Sequence, residues 1–243
     1  MLEKILIFRL HLFLFFGFTM KLKSFLFLII TAACLTSAHA QRKFPPNSYN
    51  RLGIQGGLTY GNIHSKDFQF IDKMGYTAGL TTRATAGEKI FFIYGVNFYE
   101  LKTGLETLEP VTLEPQEIDF KATGVQINLF VGHKLIDEHL SFEMGPLIQI
   151  NSKLSPEEGK ENYNLVEYDL VASDLEEISR MNFSLAAGIS GGLPNIKLWI
   201  QYQYGLSNLF NKLDYVELRE KDPAVPSLKG NMRMAAAGIV FYF

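Results

Sequence analysis

The segment NIKLWIQYQYGLSN, residues 195–208, alternates large apolar with small or polar side chains along its length. Ile196, Leu198, Ile200, Tyr202, Tyr204 and Leu206 share one face, while Lys197, Gln201, Gln203, Gly205 and Ser207 share the other, with Trp199 the one large exception. A period of two is that of a β-strand, whose successive side chains point to opposite faces. The pattern recurs on both sides of this segment. Leu140, Phe142, Met144, Ile148 and Ile150 oppose Ser141, Glu143, Gly145, Gln149 and Asn151, and Val125, Ile127, Leu129 and Val131 oppose Gly124, Gln126, Asn128 and Gly132. Extended along the chain, it predicts eight strands, at 51–62, 73–85, 89–102, 118–133, 139–153, 180–192, 195–208 and 230–243.

The connectors between these strands contain, in order, 10, 3, 15, 5, 26, 2 and 21 residues, alternately long and short. All short turns then fall at one end. This asymmetry belongs to an eight-stranded antiparallel up-and-down transmembrane β-barrel with short periplasmic turns and long extracellular loops, and a Greek-key sandwich does not produce it. The strands exceed the 9 to 11 residues that cross the hydrocarbon layer. In such a barrel the large apolar face meets lipid, and glycine and polar residues fill an interior just wide enough for side chains. The last strand ends on the aromatic run Phe241-Tyr242-Phe243, as an interfacial girdle requires.

The chain of 243 residues carries 23 Lys plus Arg against 25 Asp plus Glu, a formal charge of −2, with 20 Phe, 11 Tyr, 1 Trp and 20 Gly. That balance argues against a nucleic-acid binder, and runs of about 20 apolar residues, which helical spans need, occur only within the first forty positions. From Met20, the sequence MKLKSFLFLIITAACLTSAHAQ has basic Lys21 and Lys23, an apolar run and small residues at Ala38 and Ala40. It reads as a signal peptide over 20–40, cleaved after Ala40, with 1–19 an upstream extension from a misassigned start. Acylation at Cys34 is the rival reading, set back by the absence of a large aliphatic residue three positions before it. Residues 41–50 form an irregular N-terminal segment and 51–243 the barrel domain. Residues 1–40 hold four basic residues and one acidic residue, so the mature chain has 19 basic against 24 acidic groups, a charge of −5 and no thiol.

Several ordered segments carry a family resemblance: GIQGGLTYGNI (53–63), GYTAGLTTR (75–83), LSFEMGPLIQI (140–150), FSLAAGISGGLP (183–194), IQYQYGLSNLF (200–210) and AAAGIVFYF (235–243). Together with the leader and the aromatic end, they resemble the porin-like, PorT-like outer-membrane β-barrel domain family of Gram-negative bacteria. The third strand, IFFIYGVNFYELKTG, departs somewhat from that pattern: the acid common within that strand in the family has no clear counterpart, and Glu100 lies close by. The resemblance implies an integral outer-membrane barrel and supplies no catalytic residues.

Candidate sites are few. Inside the barrel, Arg83 and Glu143 are expected to pair or to share a polar network with Gln126, Asn128, Gln201 and Gln203, because a buried charge without a partner is costly. The third long loop, SPEEGKENYNLVEYDLVASDLEEIS (155–179), presents Glu157, Glu158, Glu161, Glu167, Asp169, Asp174, Glu176 and Glu177 against Lys160, a charge of −7. Clustered carboxylates attract a cation or a basic partner, but their spacing matches no calcium loop, and no metal or cofactor site is expected. Ser173 followed by Glu176 fits a capping box and so a short helix there. The second loop, TGLETLEPVTLEPQE, reads as an extended arm stiffened by its two LEP units. His139, Ser141 and Glu143 share one strand face, a pattern that can activate a hydroxyl nucleophile. It falls on the interior face at the periplasmic rim, away from outer-leaflet lipid, so no catalytic residues are expected. His64 and His133 fall at opposite ends of the barrel.

The function expected is that of a non-enzymatic outer-membrane protein whose acidic loops serve adhesion, ligand recognition or an accessory role in an envelope complex. Its expected partners are outer-membrane lipid and lipopolysaccharide, an extracellular or envelope protein at the loops, and no nucleic acid. A narrow solute channel, a lipid-modifying enzyme and a soluble periplasmic ligand-binding barrel are the alternatives.

Overall fold

A computed structural model describes residues 50–243; the leader, Cys34 and the segment before Asn50 lie outside the described residues. Eight long strands follow one another: β1 (Asn50–Ser65), β2 (Ile71–Thr85), β3 (Ile90–Leu108), β4 (Pro115–Ile136), β5 (Leu140–Asn151), β6 (Met181–Gly192), β7 (Ile196–Gly205) and β8 (Gly230–Tyr242). Each pairs antiparallel with its neighbour in sequence, and β8 pairs with β1 from Gly53 opposite Tyr242 to Ser65 opposite Gly230. The sheet therefore closes on itself and leaves no long unpaired edge. It is an eight-stranded antiparallel up-and-down β-barrel. The turns 86–89, 137–139 and 193–195 lie at one end, and the four loops lie at the other.

The alternation predicted for residues 195–208 sorts as expected. Leu198, Ile200, Tyr202 and Tyr204 stand on the exposed outer wall, and Gln203 and Lys197 are buried in the lumen. Trp199, the exception, also points inward. Its ring fills the space left by Gly238, where a Cβ would stand 2.6 Å from it, and packs with Ala236, Val240 and Tyr242. The small residues of β8 thus receive the large side chain of β7. A second apolar layer, Phe91, Ile93, Phe130, Leu147 and Ala186, adds to the filling. The lumen is accordingly more apolar than the alternation of glycine and polar residues implies.

The loop end differs most from expectation. Strands β3 and β4 continue past the barrel rim as a hairpin, with Leu105 opposite Ile118 and Leu108 opposite Pro115. The segment predicted as a proline-stiffened arm is therefore mostly strand, and only 109–114 form the turn. Leu101, Leu105, Ile118 and Phe120 explain this, since they alternate along the two strands and all are buried on one side. Phe68 and Phe70 from the first loop, Leu154, Leu165, Leu170 and Leu175 from the third, and Leu209, Phe210, Leu213, Leu218 and Leu228 from the fourth join the same core. Burying a Leu or Phe side chain contributes about 1.5–3 kcal/mol, whereas an exposed ion pair contributes about 0–1 kcal/mol. The apolar core therefore holds the loops together as a cap, and the charges decorate it.

Candidate functional site

Near the turn end, the lumen gathers the charges that the sequence placed there. Arg83 is 4 % exposed. Its guanidinium lies 3.6 Å from the centre of the Phe91 ring, its Nη2 donates to the Ser141 hydroxyl at 3.2 Å, and its Nη1 stands 3.9 Å from Glu143 Oε1. The Ser190 hydroxyl donates to the same carboxylate at 2.5 Å. Lys197, fully buried, donates to the backbone carbonyl of Glu138, whose carboxylate in turn pairs with Lys134. The ends of β2, β5, β6 and β7 thus supply one charged cluster, in which Arg83 Nη1 makes no hydrogen bond and meets Glu143 only as an ion pair.

The amides do not all join this cluster. Asn128 accepts from Asn97, which accepts from Gln55, while Gln203 accepts from Gln149, which accepts from Ser184. Gln126 and Gln201 line a cavity of about 40 Å³ together with Asn128, Thr81 and Trp199. A space of this size takes a few water molecules and no larger solute. The expected single network is therefore one ion cluster and two amide ladders.

In the His-x-Ser pattern at the start of β5, His139 and Ser141 make separate contacts. His139 sits in the turn, with its Nδ1 3.0 Å from the Gly192 carbonyl oxygen, while Ser141 is buried between Arg83 and Ser190. Among the described residues no three His, Cys, Asp or Glu side chains converge as a metal site.

On the cap, the eight carboxylates predicted as one acidic surface divide into two sets. Glu157 pairs with Lys160 at 2.9 Å, Asp174 with Lys221 at 2.6 Å, and Glu177 with Lys153 at 2.5 Å, with Glu176 at 4.0 Å from the same lysine. Glu161 accepts from the Gly159 backbone N–H at 3.0 Å. Glu158, Glu167 and Asp169 stay on the exposed surface. The hydrogen bond from Lys153 holds the Glu177 carboxyl below the usual range, backbone N–H groups do the same for Glu161, and the bond to Asp174 raises the Lys221 ammonium. The net acidity is thus smaller than the loop sequence alone implies, because Lys153 and Lys221 come from outside it.

The short helix expected at Ser173 is a single 3-10 turn, Ala172–Leu175, closed by Asp174 accepting the Val171 backbone N–H at 3.0 Å. A seven-residue helix α1 (Tyr215–Lys221), capped by Asp214, was not expected. Its signal was present as an aspartate followed three residues later by a glutamate. The apolar spacing in LVEYDLVASDLEEI likewise marks the cap core beneath the charges of that loop.

No family model matches the chain, and no curated protein matches it. Solved structures similar to it include Neisserial surface protein A, at 12% identity and a TM-score of 0.47, covering 79% of this chain and 97% of that one. The attachment invasion locus protein Ail of Yersinia pestis, in complex with the heparin analogue sucrose octasulfate, is similar at 16% identity and 0.41, covering 80% and 99%. The outer membrane protein OprG of Pseudomonas aeruginosa is similar at 7% identity and 0.43, covering 81% and 97%. No residue of this chain takes a role from these likenesses.

Proposed function

We propose that this protein is an integral outer-membrane barrel, non-enzymatic and non-conducting, whose folded cap is a recognition surface for an extracellular ligand or an envelope protein. The observation that carries this reading is the outer wall. Leu58, Met74, Leu80, Phe98, Leu129, Met144, Leu185 and Ile200, drawn from all of β1 to β7, are about half exposed or more, and Phe241 on β8 continues the band. A continuous apolar belt of this extent in water would be an aggregation liability, whereas in a bilayer it faces the solvent it matches. Tyr60, Tyr76, Tyr202 and Tyr204 toward the loops and Phe92, Phe142 and Phe241 toward the turns stand where interfacial girdles belong. The PorT-like resemblance and the leader agree with an outer-membrane address, and on that reading the turns face the periplasm.

The filled lumen speaks against a channel, and the engagement of the Ser141 hydroxyl with Arg83 and Ser190 speaks against a hydrolase. What remains is the cap, where Val111, Leu113, Val166 and Val216 are exposed, and Val166 lines a surface hollow with Glu106 and Glu167. Apolar anchors rimmed by charge suit a protein partner better than a small solute.

The test is photo-crosslinking in cells from probes at Val111, Val166 and Val216, with a probe at lipid-facing Phe98 as the control, together with bilayer conductance. Protein adducts from the cap probes alone and an electrically silent barrel are expected. Absence of adducts at all three cap positions would defeat the recognition reading, and stepwise conductance would restore the channel.

A further inference from the structure

High on the lipid-facing wall, four strands bring polar and aromatic side chains to one level. Asn62 on β1 lies opposite Arg233 on β8, and Arg233 lies opposite Tyr204 on β7. Because Gly61 pairs with Lys73, Asp72 follows at the far side of Asn62. Below this row, Ala235 is flanked by Tyr60 and Tyr202, and one step further down Ala237 is flanked by Leu58 and Ile200. All four flanking side chains are exposed on the outer wall. Two small residues between taller neighbours make a furrow two strand spacings wide, about 10 Å, which is the width of one lipid chain with its walls. At its upper end it opens into a cavity of about 280 Å³ that includes His64, Asp72 and Arg233.

Arg233 is the unusual member. Its guanidinium lies 5.5 Å from the Tyr204 ring centre and its Nε is buried without a hydrogen-bond partner. No carboxylate pairs with it among the described residues. An arginine on the lipid face costs about 2–4 kcal/mol at the bilayer midplane but about 0–1 near the interface, so its position fits headgroup level. Its planar fork also suits a phosphate, which accepts two parallel hydrogen bonds.

We propose that Arg233 and the Ala235–Ala237 furrow form a binding site for one phosphorylated acyl lipid of the lipid A type, with the phosphate on Arg233 and a chain in the furrow. The assignment rests on the membrane-spanning reading above, which places the loop end in the surface leaflet. Asp72 lines the same cavity two strands from Arg233, so the phosphate is expected on the Arg233 side of it.

The experiment is native mass spectrometry of the full chain in non-ionic detergent micelles with monophosphoryl lipid A, its dephosphorylated form, or phosphatidylethanolamine. The phosphorylated glycolipid is expected to give about tenfold more adduct than the dephosphorylated form, the scale of a charge-assisted bidentate contact. Arg233→Gln should erase that difference, and Ala235→Trp should lower the adduct by filling the furrow with the charge intact. Arg180→Gln, at an exposed arginine just before β6, should change nothing. Undiminished binding by Arg233→Gln or by Ala235→Trp would overturn the site, and equal binding of phosphatidylethanolamine would overturn the lipid A assignment. A heat-modifiable band in each variant reports folding, and Ala235→Trp keeps the test open if Arg233→Gln fails to fold. A folded micellar barrel without lipid discrimination sinks this inference alone, whereas a chain that stays dispersed without detergent sinks the membrane reading and the site with it.

Discussion

The Arg83 guanidinium rests 3.6 Å above the Phe91 ring, and that ring occupies the space over Gly132, where a Cβ would stand 2.1 Å from it. Three strands are thereby fastened at one point of the lumen: β2 carries the cation, β3 the ring and β4 the residue small enough to admit it.

Gly132→Val should therefore push Phe91 out from under Arg83. Overpacking of this kind costs about 1–3 kcal/mol. The temperature at which the folded barrel converts to its unfolded band on gels should fall relative to wild type, and an unchanged conversion temperature would show that the contact is dispensable.

Arg83→Leu leaves Glu143 buried without its cation, at a cost of about 3–5 kcal/mol for a buried pair broken on one side. The double variant Arg83→Leu with Glu143→Leu removes both charges and should regain most of that loss. Urea unfolding of the wild type, both single variants and the double variant in micelles checks this, and single losses that simply add in the double variant would mean that the two side chains act independently.

Phe210 is fully buried in the cap and stacks on Phe70 at 6.0 Å. Phe210→Ala should cost about 3–5 kcal/mol locally. Protease shaving of intact cells should then cut the third and fourth loops faster while the barrel fragment stays heat-modifiable. In the wild type, cleavage should be confined to the exposed turns near 109–114 and 157–159. Equal cleavage in both proteins would show that the loops move independently of this core.

The cap should also respond to pH. Glu177 and Glu161 have lowered pKa values in the folded state, so their contribution is fully present above the ordinary glutamate value, about 4.3, and is lost as pH falls through the folded values. Lys221 and Lys153 are raised, so theirs is present below about 10.4 and lost as pH rises through the folded values. Protection of the loops from a broad-range protease, digested at each pH and normalised to its rate on an unstructured peptide at that pH, should be flat between about pH 5 and 9 and fall on both sides. These groups are exposed, so the change should be modest beside that of Phe210→Ala.

The sequence by itself determined the barrel. A period of two in residues 195–208 and its neighbours, broken in character only at Trp199, decides which side chains face out, and alternating connector lengths decide that the strands run up and down, because both are local properties of the chain. Arg83 and Glu143 could be paired in advance because a charge on the interior face has few places to go. Only the tertiary structure decided the cap. Whether Leu105, Leu170, Phe210 and Leu218 are loop residues in water or one core depends on loops far apart in sequence meeting over the rim. The partners of the acidic loop, Lys153 and Lys221, likewise come from outside it, and Ala235 becomes a furrow only because Tyr60 and Tyr202 are its cross-strand neighbours. Such contacts are fixed by register and packing across the closed sheet, which no window along the chain contains.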